Sequence, residues 1–429
     1  MTETSSRSLT APSLEAAALE AALPPELTDG GLTGRLLGGL LRRWRVGSLS
    51  VTTPGGRTLS VRGAVHPQRH AHLDIHRWRA IRRLVLGGDL GLAEAYIDGD
   101  WSSPDLAGML TLGLANRNAL DGALEPPAPL RLWRLIRHRL NANSKTGSRR
   151  NIAAHYDLGN DFYRPWLDAG MQYSSALYRH QEDDLETAQA AKLAEIRRRL
   201  DVSPGAKVLE IGCGWGAVAE ALTRDGAEVV GLTLSREQLA FARQRLERAG
   251  LAGRADLRLQ DYRDADGQYD AIVSIEMIEA VGEEHWPTYF RVLAERLKPG
   301  ASALIQAITI RDDEFEAYRS SPDFIQRHVF PGGMLPSPGI LKAQAEAAGL
   351  GVAEPLLFGP SYARTLADWD RRFQAAWPKL DGLAPRNGRG RPLDTAFKRL
   401  WEYYFAYCIA GFSEGTIDVG LWRFTRPAD

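Results

Sequence analysis

The sequence predicts an α/β protein: a doubly wound, Rossmann-like sheet with helical lid insertions, preceded by a small α+β domain. The first observation is that, from about residue 200, apolar runs alternate with amphipathic helical runs, as in a parallel sheet covered on both faces. The second is that the first apolar run ends in three glycines at alternate positions, a turn typical of a strand that leads into a helix. No repeat of about 20 to 50 residues is visible, which excludes the solenoid classes.

The N-terminal part divides into a tail and a small domain. Residues 1–31 are biased toward Ala, Ser, Thr and Pro, and we expect a poorly ordered tail. Residues 32–125 mix short helical and strand patterns, and the turn Pro54-Gly55-Gly56 separates two alternating runs that predict a β-hairpin. The segment contains neither a phosphate-binding loop nor a His/Cys cluster, so it is interpreted as an α+β domain without chemistry of its own.

A basic stretch follows the proline-rich boundary at residues 125–129. Residues 126–155 contain seven Lys or Arg and no acid. Within 126–150, an apolar stripe lies beside arginines at helical spacing, and such a basic amphipathic helix suits an anionic membrane surface. A solvated interdomain helix is the alternative, because most charge runs are simply solvated faces.

Residues 151–429 form the predicted sheet domain. Its helical runs cover 217–226, 235–250 and 283–300, and the segment 311–338, which contains several Phe, Ile and Met residues, is predicted to be a lid over the site. The predicted strands are, in order, AKVLEIG (206–212), AEVVGLTL (227–234), ADLRLQDY (255–262), YDAIVSIEM (269–277) and ASALIQAITI (301–310).

The glycine turn comprises Gly212, Gly214 and Gly216 and is preceded closely by Glu210. In doubly wound sheets, ligands bind beyond the carboxyl ends of the strands, and glycines let the backbone approach a ligand without a Cβ in the way. The spacing differs from the GxGxxG fingerprint of dinucleotide folds. Because an acid before the glycines suits a positively charged, amino-acid-like ligand, the pattern predicts a site for S-adenosylmethionine.

Polar residues follow the next two predicted strands. Thr233 ends the second strand and Gln238 lies one turn into the following helix, where many nucleotide-binding folds place ribose contacts. Gln260, Asp261 and Tyr262 end the third strand. We expect Asp261 and Tyr262 to meet the amine and the ring face of an adenine, with ordinary packing as the alternative for Tyr262.

Seven motifs occur in a fixed order: HYDLGNDFY (155–163), QYSSALY (172–178), VLEIGCGWG (208–216), GLTLSREQ (231–238), LQDYRD (259–264), FPGGMLPS (330–337) and YCIAGF (407–412). Together they resemble the cyclopropane-fatty-acyl-phospholipid synthase family of S-adenosylmethionine-dependent lipid methyltransferases. The resemblance covers roughly residues 150–427. It implies an enzyme that adds a methyl or methylene carbon to a cis double bond of a phospholipid acyl chain, through a carbocation that a base then deprotonates. Residues 32–125 are similar to the N-terminal domain of the phospholipid-acting members, which implies a lipid-interaction role.

The resemblance also implies roles for individual residues. The family's active-site glutamate falls on Glu279, its tyrosine on Tyr362, and the cysteine of its C-terminal helix on Cys408. Cys408 belongs to an apolar stripe on one helix face, which we expect to line an acyl-chain channel and also to serve as core. That stripe consists of Phe397, Trp401, Tyr404, Phe405, Cys408 and Phe412. The cofactor contacts that the resemblance implies are Tyr173, Ser174, Gly212, Gly214, Thr233, Gln238 and Asp261.

Three positions depart from the family pattern. The family holds a bicarbonate ion with a cysteine, the glutamate, a histidine and the tyrosine. Here the cysteine position is Ser175, the histidine position is Gln306, and Ala280 follows the glutamate where His is usual. Because Gln cannot take a proton, these departures put the bicarbonate site in doubt, and proton removal relies on Glu279, a bound anion or water.

Several alternatives stay open on the sequence alone. Loss of a neighbouring proton from the carbocation would give a methyl- or methylene-branched chain without ring closure. A methyltransferase of a small soluble molecule would need a polar acceptor pocket, and the apolar lid favours a lipid. A non-catalytic lipid- or cofactor-binding protein is the third reading, against which the presence of Glu279 and Tyr362 argues. Nucleic acid is not an expected partner, because the one basic run lacks interleaved aromatics.

Composition sets the remaining limits. Lys+Arg and Asp+Glu are equal at 53 each, and the two cysteines, Cys213 and Cys408, form no disulfide framework, as in a reducing compartment. Neither a secretory signal nor a spanning apolar run is visible, so we expect a cytoplasmic protein associated peripherally with the inner face of the membrane. The nine histidines form no ligand-spaced cluster, so no metal site is expected. Pairing as a homodimer is left open.

Overall fold

The computed structural model describes residues 31–120, 158–383 and 393–428. The predictions for the N-terminal tail and for the basic segment 126–150 fall outside these residues. Among the helices within them, none combines the length and the apolar character needed to cross a bilayer.

The N-terminal module is a four-stranded sheet with helices against it, and its strand order is β2-β1-β3-β4. The predicted hairpin is confirmed: Thr52 pairs with Thr58 across the turn, and the amide of Thr53 donates to the carbonyl of Arg57 (2.8 Å). In chain order the module consists of α1 (Leu32–Arg42), β1 (Val46–Thr52), β2 (Thr58–Arg62), β3 (Val65–Ile75), α2 (Arg79–Ile97), β4 (Trp101–Ser102), α3 (Leu106–Ala115) and α4 (Arg117–Leu120).

The second sheet is the doubly wound sheet that the sequence predicts. Its strands are β5 (Lys207–Ile211), β6 (Glu228–Thr233), β7 (Ala255–Leu259), β8 (Tyr269–Ile275), β9 (Leu297–Ile310), β10 (Gly351–Val352), β11 (Leu356–Leu357) and β12 (Ile417–Thr425). The order is β10-β12-β9-β8-β5-β6-β7, with β11 beside β12. Strands β5 to β9 pair in parallel, whereas β12 runs antiparallel to β9.

Helices cover this sheet and extend from it toward the N-terminal module. They are α5 (Asn160–Tyr163), α6 (Leu185–Leu200), α7 (Ala217–Arg224), α8 (Arg236–Arg248), α9 (Trp286–Arg296), α10 (Phe315–Ser320), α11 (Pro338–Ala347), α12 (Gly359–Leu380) and α13 (Thr395–Ser413). The predicted lid contains α10 and a π-helical turn at Ile325–Val329.

The strand order reverses beside β5. Strands β6 and β7 extend the sheet on one side of β5, and β8 and β9 extend it on the other. Strand β5 can occupy this central position because Val208, Leu209 and Ile211 are almost fully buried. Ligand sites of doubly wound sheets lie outside the carboxyl ends of the strands at such a reversal, so the ends of β5 and β8 mark the expected site.

Helix α13 lies between the N-terminal module and the sheet domain. It packs against α2 and α3 on the module side and against α12 on the other. The hydroxyl of Tyr96 donates to Glu402 on α13 (3.0 Å). The Arg399 guanidinium donates to the carbonyls of Tyr96 and Trp101 and lies 4.0 Å from the centroid of the Tyr96 ring. These contacts fix the module against α13.

Candidate active site

A single cavity of about 1230 Å³ begins at the carboxyl ends of β5 and β8 and continues between the lid, α13 and the N-terminal module. Its sheet end contains the glycine turn and several buried polar side chains. Its far end is lined by apolar side chains of the module, including Leu37, Leu41, Leu90 and Leu110. The cavity therefore has a polar chamber and an apolar chamber in continuity.

The glycine turn forms the floor of the polar chamber. Gly212, Gly214 and Gly216 all have positive φ angles (83°, 50° and 84°), which L side chains rarely adopt. A Cβ at Gly216 would lie 2.9 Å from the Cβ of Ala242 on α8, whereas a Cβ at Gly214 would meet no atom within 4 Å. Gly216 thus permits close helix packing, and Gly214 leaves bare backbone facing open space in the cavity.

Glu210 lies on β5 below this turn and is 2% exposed. Its Oε2 has no hydrogen-bond partner among the described residues, and burial raises the pKa of its carboxyl to about 8. A buried carboxyl oxygen without a partner is costly unless a ligand completes its hydrogen bonding. This site therefore fits a cationic ligand, as the sequence predicts.

The ends of β6 and β7 supply a second set of polar contacts. The hydroxyl of Thr233 donates to Gln238 (3.0 Å), and the amide of Gln238 donates to the hydroxyl of Ser235, which caps α8 (3.2 Å). Gln260 and Tyr262 line the cavity, and the Tyr262 hydroxyl has no partner among the described residues.

Asp261 lies at the same strand end but faces another way. Its two carboxylate oxygens accept hydrogen bonds from the guanidinium of Arg263 (both 2.8 Å). Asp261 is not among the residues that line the cavity. The contact with an adenine amine therefore stays a prediction for Asp261, while Gln260 and Tyr262 have direct access to the chamber.

The segment 172–175 closes the polar chamber from the side. The hydroxyl of Tyr173 donates to that of Tyr404 (3.1 Å), and the hydroxyl of Ser174 accepts from the ammonium of Lys192 on α6 (2.7 Å). Lys192 is 1% exposed, and burial lowers its pKa to about 8. Lys192 is thus a buried cation near the place where the polar chamber meets the apolar chamber, which is called the junction below.

Two glutamates follow β8 at this junction, Glu276 and Glu279, and both line the cavity. Glu276 accepts hydrogen bonds from the amide of Ser175 (2.8 Å), the side chain of Gln306 (2.6 Å) and the hydroxyl of Tyr362 (2.6 Å). The three residues come from the segment before α6, from β9 and from α12. The geometry brings the predicted residues Ser175, Gln306 and Tyr362 together around Glu276.

Glu279 is held differently. Its Oε1 accepts from the amide of Ile308 (2.6 Å), and its Oε2 has no partner among the described residues. Its carbonyl accepts from the amide of Met334 in the lid (2.8 Å). Burial, and then the negative charge of Glu276, raise the pKa of its carboxyl to about 8.

Helix α13 presents its aromatic residues in two directions. Tyr404, Cys408 and Phe412 of the predicted stripe line the cavity, and Phe412 stacks on Tyr362 with 4.6 Å between ring centroids. Burial raises the pKa of the Cys408 thiol, so this side chain carries little thiolate. The other members of the stripe, Phe397, Trp401 and Phe405, pack in an aromatic core with Phe162, Trp166 and Phe373.

The comparisons with known proteins fit this geometry. A family model described as mycolic acid cyclopropane synthetase matches residues 143–422. The chain belongs to this family. It is 39% identical to tuberculostearic acid methyltransferase UfaA1 of Mycobacterium tuberculosis, over 85% of each chain. It is 35% identical to cyclopropane-fatty-acyl-phospholipid synthase of Escherichia coli, over 81% of this chain and 86% of that protein.

Among solved structures, the mycolic acid cyclopropane synthase CmaA1 complexed with SAH and CTAB superimposes with a TM-score of 0.58 at 30% identity, covering 65% of this chain and 98% of that one. The predicted membership in the cyclopropane synthase family and the predicted doubly wound fold are thereby confirmed.

Sequence reasoning missed two buried charged residues in this member of the cyclopropane synthetase family. Glu276 is an acid at the end of an otherwise apolar strand, and that interruption was the available signal. Lys192 lies on the amphipathic helix α6, where nothing in the pattern separates it from surface lysines. The apolar chamber wall from the N-terminal module was missed as well, because the module has no motif of its own and contributes by packing alone.

Proposed function

We propose that this protein transfers a carbon from S-adenosylmethionine to a cis double bond in an acyl chain of a phospholipid and closes a cyclopropane ring. The proposal rests chiefly on the continuous cavity. Its polar chamber contains the glycine turn, the carboxyl groups of Glu276 and Glu279 line its middle, and the apolar chamber follows. The names of the relatives agree with it: one is a methyltransferase of a fatty acid and the other a cyclopropane-fatty-acyl-phospholipid synthase.

The residues of the polar chamber fit S-adenosylmethionine. Glu210 offers a cationic group a carboxyl oxygen without a partner among the described residues, and the bare backbone at Gly214 allows close approach. Thr233, Gln238 and Tyr262 line the same chamber and would contact the nucleoside part of the cofactor. When bound there, S-adenosylmethionine supplies an electrophilic methyl group on a sulfonium.

The chain's own residues handle the acyl group. Aromatic faces of Tyr404 and Phe412 and the carboxyl groups at the junction stabilise positive charge on the acyl chain better than an apolar wall alone would, because the low dielectric strengthens each contact. The lid and the N-terminal module exclude water, which would otherwise capture a carbocation. A buried carboxylate at the junction then removes a proton.

Methyl branching without ring closure is the second candidate. It is favoured by the relative with 39% identity, whose name specifies a methyltransferase, whereas the relative at 35% is named a cyclopropane synthase. Both outcomes need the same cofactor and the same apolar chamber. Loss of a proton from the transferred methyl group closes the ring, whereas loss of a proton from a neighbouring chain carbon leaves a methyl-branched alkene.

Transfer of label tests the proposal. The protein is incubated with S-adenosylmethionine labelled in the methyl group and with vesicles of dioleoyl phosphatidylglycerol, and the fatty acids are released by saponification. Label is expected in the fatty acids, and distearoyl vesicles, which lack the double bond, serve as the matched control. Label in neither lipid, or label that stays with the headgroup, would rule out the proposal.

We also propose that the protein acts at the cytoplasmic face of a membrane as a peripheral protein. Two exposed leucines support this, Leu32 on α1 (74% exposed) and Leu86 on α2 (58% exposed), because the same helices line the apolar chamber with their buried faces. We expect the protein to cosediment with phosphatidylglycerol vesicles. A Leu32→Ser, Leu86→Ser double variant should cosediment less. Equal binding by this variant would contradict the role of this surface.

A further inference from the structure

Three hydrogen-bond donors converge on the carboxylate of Glu276. The amide of Ser175 and the side-chain amide of Gln306 donate to Oε1 (2.8 and 2.6 Å), and the hydroxyl of Tyr362 donates to Oε2 (2.6 Å). None of these donors belongs to β8, which precedes Glu276, so three separate elements are arranged around one side chain. Such a convergence is the environment of a bound anion.

The backbone at Glu276 is strained to reach this position. Its φ is +49°, in the left-handed region that non-glycine residues seldom occupy. Its amide donates to the carbonyl of Gln306 on the neighbouring strand (2.8 Å), which holds the residue at the end of β8. Backbone strain of this kind persists where the surrounding structure imposes it, and it concentrates at functional sites.

The bicarbonate ion implied by the family resemblance does not fit this arrangement. Tyr362 and the residues at the cysteine and histidine positions, Ser175 and Gln306, already donate to a carboxylate that belongs to the chain. A second anion would have to displace Glu276 or lie against it without these donors, and like charges in a buried site repel strongly.

We propose that Glu276 replaces the external anion and is the base that deprotonates the acyl carbocation. This inference rests on the proposed function, since it assigns a residue to its last step. In that step, a C–H bond of the transferred methyl group breaks, its electron pair forms the third carbon–carbon bond of the ring, and the proton passes to Glu276, which becomes a carboxylic acid.

The lone pairs of the carboxylate identify the accepting atom. Oε1 already accepts two hydrogen bonds, whereas Oε2 accepts one, from Tyr362, and keeps a lone pair for the proton. The donors and charges around Glu276 and Glu279 influence which of the two carries the negative charge. The three donors and the Lys192 charge oppose the rise that burial causes in the pKa of Glu276, whereas the pKa of Glu279 is raised to about 8. Burial leaves the pKa of Glu276 raised as well, but its three donors, against the single backbone donor of Glu279, favour the negative charge on Glu276.

The test compares dependence on bicarbonate in two proteins. Glu276→Gly suits the positive φ and opens space for a small anion, and Asp201→Gly, at an exposed position with a φ of 47°, is the matched control. Transfer to dioleoyl phosphatidylglycerol is measured in buffer freed of carbon dioxide, with and without added bicarbonate. Binding of S-adenosylmethionine by calorimetry, a readout independent of turnover, reports whether each variant is folded.

We expect wild-type and Asp201→Gly activity to be unchanged when bicarbonate is removed. Activity of Glu276→Gly should fall at least about 100-fold without bicarbonate, as for loss of a general base, and recover when it is added. If Glu276→Gly fails to fold, the isosteric Glu276→Gln should show the same loss. A wild-type protein that needs bicarbonate, or a Glu276→Gly protein active without it, would overturn the inference. A wild-type protein that transfers no carbon at all would instead refute the proposed function.

Discussion

At the residue scale, the site depends on buried carboxyl groups whose charge is set by their neighbours. Glu276 accepts three hydrogen bonds, Glu279 accepts one from a backbone amide, and Glu210 has an oxygen without a partner among the described residues. Because a buried carboxylate is stabilised chiefly by the donors around it, these differences favour the ionised form on Glu276 over Glu279 and Glu210.

The hydrogen bond from Tyr362 to Glu276 can be tested by Tyr362→Phe. This change leaves Oε2 with no donor, and a hydrogen bond to a charged group contributes about 1.5 to 3 kcal/mol, so kcat should fall by about tenfold or more. KM for S-adenosylmethionine should change little, because the Tyr362 hydroxyl donates to Glu276 and not to a residue of the glycine turn. Tyr178→Phe is the control: its hydroxyl donates to Asp368, also at 2.6 Å, outside the cavity. Equal losses in the two variants would indicate a structural role only.

Glu210 predicts that cofactor affinity depends on pH. Its pKa of about 8 means that it is mostly protonated at pH 6.5 and mostly ionised at pH 8.5. A sulfonium ligand favours the ionised form, so affinity should rise across this interval, by up to about 25-fold if only that form binds. Because Lys192 titrates in the same range, the pH dependence of cofactor affinity is compared between the wild-type protein and Glu210→Gln. Calorimetry should find that affinity depends much less on pH in the variant. Parallel profiles would exclude Glu210 as the titrating group.

Residue identities in the site were only partly predictable from the sequence. Gly212, Thr233 and Gln238 belong to motifs in a fixed order, Tyr362 was assigned by the family resemblance, and all four line the cavity. The role of Glu276 depends on donors 30 or more residues away in either direction, and no local pattern encodes such a convergence. Likewise, nothing near Asp261 in a linear pattern shows that Arg263 occupies its carboxylate.

At the element scale, the glycines of the β5–α7 turn serve two purposes, close helix packing and access for a ligand, although they form one motif in the sequence. Gly216 contacts α8, whereas Gly214 faces open space, although both have positive φ angles. The alternation of strands and helices predicted these elements well, because their apolar periodicity is local. The division of the α13 stripe between cavity and core was not predictable, since both faces are aromatic.

Substitutions in the turn should therefore have different effects. Gly216→Ala places a methyl group 2.9 Å from Ala242 at an unfavourable φ and should lower the free energy of unfolding by about 2 kcal/mol or more. Gly214→Ala should cost about 1 kcal/mol from its φ alone, but its methyl group enters the ligand space and should weaken S-adenosylmethionine binding. Urea unfolding and calorimetry measure the two quantities. Normal cofactor binding by Gly214→Ala would show that the backbone at Gly214 does not approach the ligand.

At the scale of the whole molecule, the N-terminal module is a wall of the apolar chamber. Its helices contribute Leu37, Leu90 and Leu110 to the cavity, and Arg69 joins it to Glu414 at the end of α13. The module was predicted as a small α+β domain similar to the one in phospholipid-acting relatives. Its position against α13 could not be inferred, because it depends on surface complementarity between segments some 300 residues apart in the chain.

The contact between the module and α13 can be loosened without touching the cofactor site. Arg399→Ala removes two hydrogen bonds to module carbonyls and the contact with the Tyr96 ring. Transfer to lipid should fall severalfold, because the chamber opens to water, while S-adenosylmethionine affinity stays the same. Arg371→Ala, which removes an exposed ion pair with Asp368, is the control and should leave both unchanged. Full lipid activity in Arg399→Ala would show that the chamber does not require the docked module.

The most direct test of the whole account is to follow the transferred carbon by NMR. The protein is given S-adenosylmethionine carrying carbon-13 in its methyl group, together with dioleoyl phosphatidylglycerol, and the recovered lipid is examined. We predict a labelled carbon bearing two protons at the high-field position of a three-membered ring, with loss of the alkene protons. Unlabelled acyl chains, with all the carbon-13 in water-soluble products, would show that the protein transfers no carbon to the lipid.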